Sequence, residues 1–293
     1  MKKPILTALL FLSCYGFIHA QDKLPSVQKG NFRAPSGIHI DGSLADWKDS
    51  LRAYNRSTKI YYLLANDDKY LYLAVRATDA TTKAKIAAGG ITLTINTSGK
   101  KKEQDAFSLT YPVISHTAGR GNRRGGGGGA SSLTDSASKQ QLILAAKEIK
   151  VIGFKDVDDT LISIYNEYSI KVAIGFDLSS NYCYELAVPL KLLGLNADDA
   201  KEFAYNIKLN GLQTAIKMIN ISGSDGGGGA GLTISGDGGG GSFRSSGGGG
   251  SRGGGAGGGR GGRGGAGGGN NTIDYEDLTS PTDFWGNYAL AKK

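Results

Sequence analysis

The sequence predicts an all-β fold: an antiparallel β-sandwich, jelly-roll-like, with one or two short helices and long Gly-rich insertions. Three observations lead there. Short segments with period-two alternation recur along the chain. Clusters of Asn, Asp, Ser and Gly separate them. The two largest interruptions are glycine tracts, which have no side chains to bury and much backbone freedom to lose on ordering.

Thr58–Ala65 is rich in strand formers, Asn66-Asp67-Asp68 is a turn cluster, and Lys69–Arg76 alternates, with Leu71, Leu73 and Val75 on one face and Tyr70, Tyr72 and Ala74 on the other. The pair reads as a β-hairpin. Gly90–Asn96 is a strand with Ile91, Leu93 and Ile95 facing a core, and Ala106–Tyr111 returns after a turn, ended by Pro112. Strands follow at 149–154, 161–165, 168–176, 182–188, 203–209 and 284–291, nine or ten in all. One helix is expected near Ser136–Lys147, with Leu142, Ile143 and Ala146 on one face. Pro189–Gly194 reads as a short helical turn, proline at its start and glycine at its end.

The tract 226–269 has 27 glycines in 44 positions, including RGGGAGGGRGGRGGAGGG at 252–269, and 119–132 is a smaller version. Both read as long disordered loops inserted between strands, a burden a fold can carry because closure entropy grows slowly with loop length. They also explain the charge. Of the formal +8, two units are Lys2 and Lys3, three are Arg120, Arg123 and Arg124, and three are the net charge of 226–269, so the remaining body is neutral. A folded nucleic-acid binder should carry a basic face on its body; none is visible, so no specific nucleic-acid partner is expected. The Arg-Gly segments suit a spacer or surface loop with weak, salt-sensitive polyanion contact, because Phe243 is nearly the only ring among them to stack on bases.

MKKPILTALLFLSCYGFIHAQ opens with two lysines, continues through an uncharged apolar run and ends on a small residue, Ala20, the order of a cleaved secretory signal. The run is too short to span a bilayer comfortably, and no later segment is apolar enough to do so. The expected location is therefore outside the cytoplasm: periplasmic, cell-surface or extracellular. A lipid anchor at Cys14 is the alternative. Beyond residue 20 only Cys183 remains, so no intramolecular disulfide is available and stability must come from a packed core. The expected organisation is a signal at 1–20, a linker at 21–34, and one sandwich domain at 35–291 interrupted by 119–132 and 226–269.

The most informative stretch is IHIDGSLADW, residues 38–47. Gly42 permits a positive φ, Ser43 with Asp46 has the spacing of a capping box, and Leu44 and Trp47 fall on one side where they can pack on a sheet. This Asp41-Gly42-x-Leu-x-x-Trp47 opening, the Asp67–Tyr72 hairpin, Asp79, the strand Tyr184-Glu185-Leu-Ala-Val-Pro189 with Leu-Gly at 193–194, Phe203–Ile207 and the closing Asp283-Phe-Trp285-Gly resemble, in that order, the family 9 carbohydrate-binding module-like domains. The resemblance covers most of residues 35–291 outside the Gly-rich segments. It implies an exported bacterial β-sandwich acting near polysaccharide degradation. Under it, Asp41, Gly42, Trp47, Glu185 and Pro189 are structural motif positions.

Sugar-binding members of that family clamp their ligand with aromatic residues, but the clamp does not map onto named positions here. Tyr70, Tyr72 and Trp285 are the candidate ligand-contacting residues, against the plainer reading that tyrosines on a strand fill the sandwich or its edge. Asp156, Asp158 and Asp159 cluster oxygens of the kind calcium takes, but lack a full binding-loop pattern; a solvated turn accounts for them, and no cofactor is expected. Glu185 and Glu167 could serve as a glycosidase pair only if a cleft sets their separation. His39 and His116 have no Ser or Cys nucleophile motif beside them. The leading expectation is a non-catalytic carbohydrate-binding module with a polysaccharide or oligosaccharide partner. An envelope interaction scaffold is the alternative, and an accessory to glycoside hydrolysis the third.

Overall fold

The computed structural model describes residues 24–48, 50–113, 136–198, 202–212 and 275–292. Met1–Ala20, the segments 119–132 and 226–269, and with them Cys14 and His116, lie outside the described residues. Eleven strands are described: β1 (Ala53–Asn55), β2 (Ile60–Asn66), β3 (Tyr70–Ala77), β4 (Ile91–Asn96), β5 (Phe107–Val113), β6 (Glu148–Ile152), β7 (Leu161–Ser163), β8 (Lys171–Phe176), β9 (Tyr182–Pro189), β10 (Glu202–Leu209) and β11 (Thr282–Ala289). Three helices accompany them: α1 (Ala80–Gly89), α2 (Ser136–Ala145) and α3 (Tyr275–Thr279).

The strands form two antiparallel sheets, β1-β2-β3-β9-β8 and β11-β10-β4-β5-β6-β7. Packed against each other, they make the expected β-sandwich. The register follows the apolar alternation. Leu71, Leu73 and Val75 of β3 face inward, as do Ile91, Leu93 and Ile95 of β4, and with Tyr184, Leu186 and Val188 of β9 they form the inter-sheet core. Burying each such Leu, Ile or Val side chain contributes about 1.5–3 kcal/mol, and a one-residue slip would turn the whole set outward. Tyr62 and Tyr205 reach across the core from opposite sheets, hydroxyl to hydroxyl at 3.0 Å.

The outer face of the five-stranded sheet is also buried. Leu63, Ala65, Tyr72, Ala74, Cys183 and Ala187 pack there against Leu44, Trp47 and Leu51, with Phe32, Ile38 and Ile40 alongside. Residues 24–34, expected as a linker, are part of this cover. β1 pairs only with Ile60–Tyr62 of β2; beyond it the Gln28 side-chain amide accepts from Leu64 N and donates to Leu64 O, both at 2.8 Å. Phe32 and Ala34 then exchange backbone hydrogen bonds with Asn66. The N-terminal stretch thus closes an edge that would otherwise stand open to other chains. Asn66 also holds the other end of the molecule: its Oδ1 accepts from Ala291 N at 2.7 Å and its Nδ2 donates to Ala291 O at 3.1 Å.

Several local expectations are corrected. α1 was not anticipated: its buried side is only Thr82, Lys85 and Ile86, too little apolar surface for a helical period to show. Its cap is nonetheless in the sequence, since Asp79 Oδ1 accepts from Thr82 N at 2.9 Å. β5 does not stop at Pro112. Its pairing with β6 shifts register between Thr110 and Val113, and this irregularity accommodates a residue that cannot donate to the ladder. The Ser43/Asp46 capping box does not form. Ser43 N donates to Asp41 Oδ1 at 2.8 Å, and Asp46 Oδ2 accepts from His39 N at 2.9 Å instead. On α2, Leu142 and the following Ala146 are buried while Ile143 is exposed. The Pro189–Gly194 turn is as expected: a 3₁₀ turn at Leu190–Leu193 closed by Gly194 at φ 62°.

Candidate functional site

Four of the five motif positions, Asp41, Gly42, Trp47 and Glu185, meet at one buried carboxyl group. Glu185, in the middle of β9, is fully buried on the outer face of its sheet. Its Oε1 accepts from Trp47 Nε1 at 2.7 Å, and its Oε2 accepts from Gly42 N at 2.8 Å and Asp41 N at 3.1 Å. Gly42 is needed twice over: its φ is +87°, and a Cβ there would lie 2.5 Å from Ile174 O of β8. Burial raises the Glu185 pKa, while the Trp47 indole and the two backbone amides pull it back down. With both oxygens committed to protein donors under the Trp47 ring, Glu185 faces no cleft and holds the N-terminal cover to the sheet. Glu167, the other half of the conceivable glycosidase pair, is exposed in the loop before β8.

The three candidate ligand-contacting aromatics are divided between opposite sides of the sandwich. Tyr72 is only 7 % exposed, lies edge-on to Trp47 at 5.6 Å and donates its hydroxyl to Asp67 Oδ2 at 2.7 Å. Burial first, then that carboxylate, pushes its pKa up. It presents almost no ring to a ligand. Tyr70 is half-buried at the mouth of the same face, beside a cleft. Trp285, also half-buried, is on β11 in the other sheet.

Trp285 alternates with Phe284, which enters the inter-sheet core, so its side chain belongs to the outer face of the six-stranded sheet. Cross-strand register lays out that face in two rows. Trp285, Asn206, Thr94, Ser108 and Ile152 make one; Asp283, Lys208, Thr92, Thr110, Lys150 and Leu161 make the other. A shallow trough of about 380 Å³ runs over its β10, β4, β5 and β6 part, reaching Asn210 and Glu103, with Trp285 and Asn206 outside its lining. The floor is ordered by its own hydrogen bonds. Thr92 and Thr110 hydroxyls lie 2.7 Å apart, those of Thr94 and Ser108 lie 3.0 Å apart, and Asn210 Nδ2 donates to Thr92 Oγ1 at 2.9 Å. Lys208 reaches Glu103 at 3.6 Å. Asn206 donates from Nδ2 to Asp283 Oδ2 at 2.7 Å and to Phe284 O at 3.0 Å, which fixes its amide orientation. Its buried Oδ1 has no hydrogen-bond partner among the described residues, a costly state for an acceptor.

Sequence reasoning named Trp285 but not this floor. The signal was present: in Ile91-Thr-Leu-Thr-Ile-Asn96 the outward positions are hydroxyls rather than charges, and Ser108 and Thr110 repeat the choice on the neighbouring strand. Asp156, Asp158 and Asp159 are exposed in the turn between β6 and β7. Among the described residues no group of three or more His, Cys, Asp or Glu is placed to hold a metal ion, and no helix is long and apolar enough to cross a membrane. No family model, curated protein or solved structure matches the chain.

Proposed function

We propose that the protein is an exported, non-catalytic β-sandwich that binds a glycan chain across the outer face of its six-stranded sheet. The observation that carries this reading is the composition of that face: an open, pre-ordered floor of hydroxyl, amide and ammonium groups, with one tryptophan on the neighbouring edge strand β11. Saccharides offer the complementary chemistry, hydroxyls for the polar floor and a C–H face for a ring. The motif order resembling family 9 carbohydrate-binding modules, and the signal-like N-terminus, point the same way.

The test is affinity electrophoresis and calorimetry against a panel of soluble and insoluble polysaccharides, with the Trp285→Ala and Thr94→Val/Thr110→Val variants beside the parent. Retarded migration that Trp285→Ala abolishes, with the melting temperature of the variant within a few degrees of the parent, is the expected result. Absence of retention on every polysaccharide would remove the reading. A second reading, an envelope interaction scaffold, is favoured by the exposed Ile152 (51 %) on β6 and Leu161 (45 %) on the edge strand β7, apolar groups suited to a protein contact. Concentration-dependent self-association or capture of an envelope protein, lost in Ile152→Ser/Leu161→Ser, would support it.

A further inference from the structure

The cleft beside Tyr70 is a separate feature, on the other sheet from Trp285. About 480 Å³ in volume, it is bounded by the 67–70 turn, by Ser169 ahead of β8, and by Pro189, Leu190, Lys191, Leu195 and Asn196 at the end of β9. Its walls are held in place by the backbone. Asp67 Oδ1 accepts from Lys69 N and Tyr70 N, both at 2.7 Å, and Leu190 N donates to Lys69 O at 2.8 Å, tying the two sides together.

Its charge is one-sided. The exposed Lys69 and Lys191 line it, and the Lys171 ammonium stands 5.4 Å over the Tyr70 ring. None of these three lysines makes an ion pair among the described residues. The carboxylate in the lining, Asp68, is held at 2.7 Å by Arg33, and Asp67 is occupied by two backbone amides and the Tyr72 hydroxyl. Beside the ammoniums sit neutral polar groups, Ser169 and Asn196, and the half-buried Tyr70 ring; Leu190 and Leu195 back the cleft but are themselves buried. Lysine ammoniums act as point charges rather than as the bidentate fork of arginine, so the anion they suit is small and its geometry undemanding. Hydroxyl-sized polar partners and an aromatic edge in the same cleft call for a ring that carries both hydroxyls and C–H surface.

We propose that this cleft binds an acidic sugar unit, a pyranose bearing a carboxylate or a sulfate, with Lys69 and Lys191 on the anion and the Tyr70 edge against the ring. The inference rests on the glycan reading above for the class of polymer, but it concerns a different surface and fails separately. The two surfaces let one molecule grip an acidic chain end at one side and a run of polymer at the other.

Calorimetric titration of the purified protein with trigalacturonate, with a sulfated galactan trisaccharide and with neutral cellotriose tests it, using Lys69→Gln/Lys191→Gln, Lys69→Arg/Lys191→Arg and Trp285→Ala as variants. The altered lysines are exposed, so folding should survive, and an unchanged melting temperature verifies it. Expected is binding of an acidic trisaccharide at least about tenfold tighter than cellotriose. It should be lost by about tenfold or more in the Gln pair, kept in the Arg pair and in Trp285→Ala, and weakened by added salt. The carboxylate and sulfate arms identify which anion is preferred. Equal affinity for neutral and acidic trisaccharides, full acidic binding by the Gln pair, or no binding of either acidic probe at millimolar concentration would each overturn the proposal. Loss of acidic binding in Trp285→Ala alone would relocate it to the other sheet and leave the open-face reading standing.

Discussion

Trp47 Nε1 donates to Glu185 Oε1 at 2.7 Å, joining residues 138 positions apart in a site closed to water. The contact converts a short N-terminal motif into a fastening for the whole cover of the five-stranded sheet. An unpaired carboxylate in such a place is costly, and here three N–H groups answer it.

Removing one partner strands the others. Glu185→Gln keeps a single acceptor for three donors and is expected to cost about 1–3 kcal/mol, and Glu185→Ala more. Trp47→Ala, which also empties the centre of the outer cluster, is expected to cost about 3–5 kcal/mol. Urea unfolding of the three variants checks this; a Glu185→Gln loss of only a few tenths would mean that the carboxylate is replaceable.

The same residue sets a pH signature. Burial raises the folded-state pKa of Glu185 above its unfolded value, so the fold favours the protonated form. The associated stability is present in full below about pH 4, the unfolded carboxyl range, and is lost as pH rises through the raised folded value. Glutamine mimics the neutral form, so the stability gap between parent and Glu185→Gln should narrow as pH is raised from 4 to 7. Melting curves across that range decide it, and a widening gap reverses the sign.

Gly42→Ala should be poorly tolerated although it adds one methyl group at a turn. The added carbon meets Ile174 O at 2.5 Å, and the +87° φ is unfavourable for alanine. The expected loss exceeds about 1 kcal/mol. Gly37→Ala is the control: its φ of +81° is similar, but a Cβ there meets nothing within 4 Å. The difference between the two isolates the contact with β8.

Cys183 should be chemically silent in the folded protein. It is 2 % exposed, and burial pushes its thiol up to about 11, so little thiolate exists at neutral pH to react. In a Cys14→Ser chain, a thiol reagent at pH 8 should modify Cys183 only after denaturant is added. Modification of the native protein within minutes would show that the Trp47 cluster opens readily.

What the sequence made legible follows from periodicity. Leu71/Leu73/Val75 and Ile91/Leu93/Ile95 alternate cleanly, and their faces are as expected. α1 was hidden because its buried side holds one isoleucine beside a threonine and a lysine, and β1 because three residues cannot display a period. The Trp47–Glu185 bond was half visible: both residues belong to recognisable motif positions, but nothing in either segment says that they touch. The polar trough was overlooked for a different reason. An outward threonine looks like ordinary solvent-facing sheet until register shows that its neighbours across three strands are hydroxyls and amides as well.

Asn66 has a consequence for how the molecule comes together. Its side chain grips Ala291, two residues from the C-terminus, while its backbone holds Phe32 and Ala34 near the start. The Tyr288 hydroxyl locks the same corner, bonding Asn66 Oδ1 and Phe32 O. During synthesis, Phe32 and Ala34 therefore wait for Ala291 before their seat is complete. A chain cut short by a handful of C-terminal residues would be damaged at its beginning, with β2 left as a bare strand edge able to recruit other copies.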